Sequence, residues 1–112
     1  MYDLNKSQIM ELFQFDNAAK VISAAYIASS SGNVQTGDVV HLSFPGSNGD
    51  CHVKSGHINN AESYVIKIAS GFYDNPSKGL PSSNGMMLAF SASTGEPKAI
   101  LRDEGWLTDM RT

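Results

Sequence analysis

The stretch Tyr64-Val65-Ile66-Lys67-Ile68-Ala69-Ser70 constrains this chain more than any other. β-Branched and aromatic side chains fit a pleated, half-buried surface, so the segment reads as a strand. Side chains alternate along a strand, which sets Tyr64, Ile66 and Ile68 on one face and Val65, Lys67 and Ala69 on the other. Burying an ammonium without a partner is costly. The Lys67 face therefore meets water, a carboxylate or a bound anion. The plain alternative is a lysine whose stem packs while its head reaches solvent.

A chain of 112 residues has the size of one domain, expected to span residues 1–112. Hydrophobic content of 41% and charged content of 17% fit a globular protein and not a disordered one. A net charge of −3 lacks the broad basic footprint of a nucleic-acid binder, so no nucleic-acid partner is expected. The single cysteine, Cys51, excludes an intrachain disulfide framework and suits a reducing compartment. The N-terminus lacks the basic start and apolar core of a signal peptide. No apolar run approaches the roughly 20 residues needed to span a bilayer. A soluble, cytoplasmic protein with no membrane partner is the expectation.

The pattern along the chain is two helices followed by strands. Met1 to Leu4 is a short strand or an extended arm. Asn5 is placed to cap a helix over Lys6 to Phe13, with Ile9, Leu12 and Phe13 on one side. Asp16 or Asn17 caps a second helix through Ala28, and Ala18, Ile22, Ala25 and Ser29 share a smooth face suited to packing on a sheet. Gly32 ends it in the left-handed C′ conformation. Strands follow at Val39–Phe44, Cys51–Ile58, around Tyr64, at Met86–Ala92 and at Lys98–Arg102, with Asn48-Gly49 the strongest turn signal. Ser70 to Asn84 reads as a long Gly/Pro/Ser-rich loop, either folded over whatever Lys67 faces or solvated at the surface. Thr108 caps a last helix. The fold class is α+β: two N-terminal helices packed on a mixed or mainly antiparallel sheet of about five to six strands, with no Rossmann domain.

Candidate chemistry is sparse. His41 and His52 lie on the two arms of one predicted hairpin and could meet across it, with Asp50 or Cys51 near as a third metal ligand. Their spacing matches no zinc pattern, and no metal is assigned. There is no G-x-G-x-x-G, P-loop or G-x-S-x-G motif. Asp103-Glu104 reads as a polar strand end, and Trp106 as a core or interface anchor. Arg111 falls in the first turn of a helix capped by Thr108. A cation there opposes the helix dipole unless an anion sits between, and a guanidinium beside free N–H groups suits a carboxylate or phosphate.

Three segments carry a resemblance: Val65–Pro76, with its K-x-x-x-G-F-x-x-N-P run; Gly79–Gly85; and Leu107-Thr108-Asp109-Met110-Arg111-Thr112, with L-T-x-x-R-T. With Thr94–Pro97 and Asp103–Gly105 between them, they resemble the ornithine cyclodeaminase/mu-crystallin family in order and spacing. The resemblance covers nearly the whole chain and is strongest from about Asp50 onward. It implies NAD(P)-dependent chemistry on amino or imino acids, in enzymes whose N-terminal part supplies substrate pocket and dimer interface before a Rossmann domain. By resemblance, Lys67 and Arg111 hold the substrate carboxylate. Arg111 and Thr112 lie beside the cofactor when a nucleotide-binding domain is supplied, and no residue here is catalytic.

The chain departs from the family twice in its residues. Gly37-Asp38-Val39-Val40-His41 carries no arginine where many members have one, which puts the substrate in doubt. Met86 stands where some members have a cofactor-contacting threonine. The glycine fingerprint that seats a pyrophosphate is also absent, so no cofactor is expected in this chain alone. The expectation is a truncated or stand-alone N-terminal domain, non-catalytic by itself, forming a homodimer and open to a small amino or keto acid. The alternative is a subunit completed in trans by a separate nucleotide-binding chain.

Overall fold

The computed structural model describes residues 1–110. The elements run β1 (Tyr2–Asn5), α1 (Lys6–Leu12), α2 (Phe15–Ser30), β2 (Val34–Thr36), β3 (Val40–Phe44), β4 (Gly49–Ile58), β5 (Ser63–Phe72), β6 (Ser83–Ser91), β7 (Pro97–Arg102) and α3 (Trp106–Met110). All seven strands join one open sheet in the order β1-β7-β6-β5-β4-β2, with β3 also paired to β4. Every pairing is antiparallel except β1 with β7, so the sheet is mixed. The fold is the expected α+β arrangement of N-terminal helices on a mixed sheet. The strand count is higher than expected because Val34–Thr36 pairs with Gly56–Ile58. Three residues beside a glycine are too few to show an alternating pattern.

Local chemistry explains the helix boundaries. Asn5 caps α1 through a reciprocal box: its Oδ1 accepts from the Gln8 N–H, and Gln8 Oε1 accepts from the Asn5 N–H, both at 2.9 Å. Two otherwise unpaired donors are satisfied together. α1 rests against β1 and β7, and Ile9 is buried beneath it. The second helix starts earlier than Asp16 or Asn17 would place it. Gln14 is its N-cap, with no side-chain cap bond to the backbone, and Asn17 donates instead to the Gln14 side chain. Its half-buried stripe is Ala18, Ile22, Ala25 and Ala28, while Val21, Tyr26 and Ile27 stay exposed. Gly32 takes φ +75° beyond Ser31, as the sequence indicates.

The long loop is shorter than its composition suggests. β5 continues through Ser70, Gly71 and Phe72, and β6 begins at Ser83. Small residues are misleading there, because their backbones pair in register, Ser70 with Asn84 and Gly71 with Ser83. The remaining segment is tied down: the Tyr73 N–H donates to the Asn48 carbonyl at 3.1 Å, and Asn48 Nδ2 donates to Asp74 Oδ1 at 3.2 Å. These bonds anchor it to the β3–β4 turn at the end of the sheet. Asn48 adopts φ +48° in that turn. Gly49 follows because the Phe72 ring occupies the space where a Cβ would stand.

The sheet lacks cover. Among the described residues Ile9, at 6% exposure, is the one buried hydrophobic side chain. Val40, Leu42 and Phe44 on β3 are 52%, 52% and 41% exposed. The accessible surface of 7752 Å² exceeds the roughly 6,000 Å² expected of a compact monomer of this mass. At the far edge, the Arg102 guanidinium donates to both carboxylate oxygens of Asp3, at 2.7 and 3.2 Å. That pair holds the Asp3 carboxyl below its ordinary range and joins β1 to β7 at the surface.

Candidate functional site

Register decides which side chains share a face with Lys67. Lys67 lies opposite Lys54 of β4 and Met87 of β6. His52 lies opposite Ala69 and Asp50 opposite Gly71, so Asp50, His52 and Lys54 share the face of Lys67. Ile66 and Ile68 point the other way, beside Ser55, Val53, Leu88 and Met86. On this face β4 presents Asp50, His52 and Lys54, while β5 presents Lys67 between the small or apolar Val65, Ala69 and Gly71. Lys54 is exposed, Lys67 is half-buried and takes part in a further interaction within the chain.

Two ammonium groups directly opposite on neighbouring strands repel. An anion between them converts that repulsion into attraction, since hydrogen bonds from a cation to a carboxylate are among the strong ones. Lys54 was not singled out from the sequence. Only the β4–β5 register brings it to Lys67, and register is set by pairing that spans the whole hairpin.

Arg111 and Thr112 lie outside the described residues. α3 begins at Trp106, not after Thr108, so Thr108 lies inside the helix and does not cap it. The capping group is Asp103, whose Oδ2 accepts from the Leu107 N–H at 2.9 Å. Asp103 is 1% exposed, the most buried polar side chain described, and not a solvated strand end. Its carboxylate takes one of the helix-start donors. An acidic residue followed by Gly105 and an apolar pair was the available signal. Trp106 packs edge-on to Phe13 at 5.0 Å, anchoring α3 to the chain after α1.

Two concavities lie elsewhere. One of about 530 Å³ is lined by Gln35, Ser55, His57, Tyr64 and Ile66, on the face opposite Lys67. Another of about 550 Å³ lies by Glu62, Ser91 and Lys98. Neither is lined by Lys67.

A profile of the ornithine cyclodeaminase/mu-crystallin family matches residues 3–112, and the chain belongs to that family. It is 39% identical over 111 residues to an uncharacterised cyclodeaminase of Sinorhizobium fredii, covering 97% of this chain and 34% of that protein. It superposes on an archaeal alanine dehydrogenase dimer with bound NAD at a TM-score of 0.88, with 25% identity, covering 99% of this chain and 33% of that one. The Δ1-pyrroline-2-carboxylate reductase of Thermococcus litoralis, in complex with NADH and L-proline, gives a TM-score of 0.90 at 24% identity, covering 99% and 34%. The chain thus spans about a third of the length of the curated relative and of the solved structures it matches. It corresponds to the N-terminal substrate-binding and dimerisation module of NAD(P)-dependent cyclodeaminases and dehydrogenases. The described residues form no nucleotide-binding fold, and among them no helix is long and apolar enough to cross a membrane.

Proposed function

We propose that residues 1–112 are the carboxylate-binding and subunit-assembly domain of a cytoplasmic, NAD(P)-dependent enzyme acting on a small amino or imino acid. The observation that carries the reading is Lys67 directly opposite a second lysine, on a sheet face it shares with Asp50 and His52. Lys67 holds the substrate carboxylate, and Arg111 supplies a second cation by the family's L-T-x-x-R-T segment. Hydride transfer belongs to the cofactor, and Arg111 and Thr112 lie against it when a nucleotide-binding domain is present. The archaeal protein to which the chain is similar is an alanine dehydrogenase dimer with bound NAD, which supports the reading.

Assembly follows from the surface. A domain of 12.0 kDa that buries so little of its sheet gains stability by covering it with a second copy. Thermal-shift measurements with small amino and keto acids test the clamp. The melting temperature rises with the parent chain, and the rise vanishes in Lys67→Ala and Arg111→Ala. A rise that survives both substitutions removes the clamp. Sedimentation that shows a clean monomer at high micromolar concentration removes the assembly role.

A further inference from the structure

We propose that His41, Asp50 and His52 form a binding site for a divalent transition cation of the zinc class on the β3–β4 hairpin. His41 of β3 and His52 of β4 are register partners. Their rings stack with centroids 4.4 Å apart and planes 12° from parallel. Asp50 is two residues from His52, hence on the same face, and its Oδ2 lies 3.9 Å from His41 Nε2. One ligand atom from each of the three lies within 4.8 Å of the others. The register also settles the third donor. Cys51 pairs with Leu42 and points to the opposite face, so Asp50 is the available ligand.

Two imidazoles and one carboxylate suit zinc, copper, nickel or cobalt, and not magnesium or calcium, which favour oxygen donors. Zn–N distances of about 2.0–2.1 Å place tetrahedral donors about 3.3 Å apart. The present spread therefore contracts by about 1.5 Å on binding. Rotation about the broad terminal torsions of the two imidazoles and the carboxylate supplies that movement. His41 is 49% exposed, so its ring has room to turn out of the stack. Three protein ligands leave a fourth position for water or a solute. The sequence offered His41 and His52 across the hairpin with Asp50 or Cys51 as third donor but in no known zinc spacing; the strand register brings His41, Asp50 and His52 to one face.

The site also has a mechanical consequence. β3 pairs with β4 alone, and a cation bridging His41 to Asp50 and His52 cross-links that strand to the rest of the sheet.

The test titrates the tag-free chain with Zn2+ by calorimetry and with Co2+ by visible absorption. The parent takes up about one equivalent, and Co2+ gives the intense bands of a four-coordinate ion. His52→Gln and Asp50→Asn each weaken binding by roughly tenfold or more, while His57→Gln, on the other face, binds as the parent does. Ring resonances of the parent, followed by NMR during the Zn2+ titration, need no substitution. His41 and His52 shift together and His57 does not. Absence of Zn2+ uptake, shifts confined to His57, or parental affinity in a His41→Gln/His52→Gln double variant would each overturn the assignment.

Discussion

Lys54 and Lys67 stand directly opposite each other across β4 and β5, on one face of the sheet. Evolution toward stability alone would favour unlike charges at such a pair. The substitution Lys54→Glu therefore raises resistance to urea by about 0.2–1 kcal/mol. It also removes a cation facing Lys67 and puts a carboxylate in its place, so the thermal shift produced by amino acids shrinks. Denaturation and ligand-induced melting, measured on the same variant, read the two effects separately. Higher stability together with undiminished ligand response would show that Lys54 plays no part in the anion site.

Asp103 governs the start of α3 through its bond to the Leu107 N–H. Asp103→Ala strips that cap and costs about 0.5–2 kcal/mol. Asp103→Asn keeps an acceptor oxygen and costs less. Amide exchange at Leu107 accelerates in the alanine variant and stays slow in the asparagine variant. Equal exchange in both would mean that the carboxylate packs without capping.

Gly49→Ala drives a methyl group into the Phe72 ring. Overpacking of this kind costs about 1–3 kcal/mol, read as a fall in the urea midpoint. Adding Phe72→Ala to Gly49→Ala removes the clash, so the pair is less destabilising than the sum of the two single changes. Strict additivity would show that the ring moves aside freely.

The Asp3–Arg102 pair has a defined pH signature. Hydrogen bonding to the guanidinium, helped by its charge, lowers the Asp3 carboxyl below its usual value near 3.8. A group depressed in the folded chain contributes stability above its unfolded value and loses it as pH falls through the folded value. The contribution is therefore full at neutral pH and disappears only under acid conditions below about 3.8. The pair is solvent-exposed, so added salt weakens it. NMR titration of the Asp3 carboxyl shows the depression, and Arg102→Gln abolishes it. An unchanged titration in that variant would assign the shift to another cause.

Much of the fold was legible because turn chemistry is local. Asn5 announced α1, Asn48-Gly49 announced the β3–β4 turn, and alternation around Lys67 named its face before any pairing was known. Several of the failures share a cause: a partner distant in sequence. Ser70 and Gly71 look like loop until Asn84 and Ser83 pair with them. β2 exists only because β4 offers it an edge. Lys54 opposite Lys67 is invisible until register is fixed, whereas the meeting of His41 and His52 followed from the predicted hairpin. Asp103 was misjudged because the helix start was set at Thr108, which left its carboxylate without a visible N–H partner. Trp106 at the first helical position gave no conventional start signal, so α3 was placed too late.

The parallel pairing of β1 with β7 unites Tyr2–Asn5 with Ala99–Arg102. During translation the first of these segments leaves the ribosome long before the second has been made. It must wait, unpaired, while the hairpins between them assemble, and the edge closes only when residue 102 has cleared the exit tunnel. A nascent chain arrested short of that point exposes an open β7 slot on β6, which a chaperone or the leading strand of a neighbouring polysome product is free to occupy.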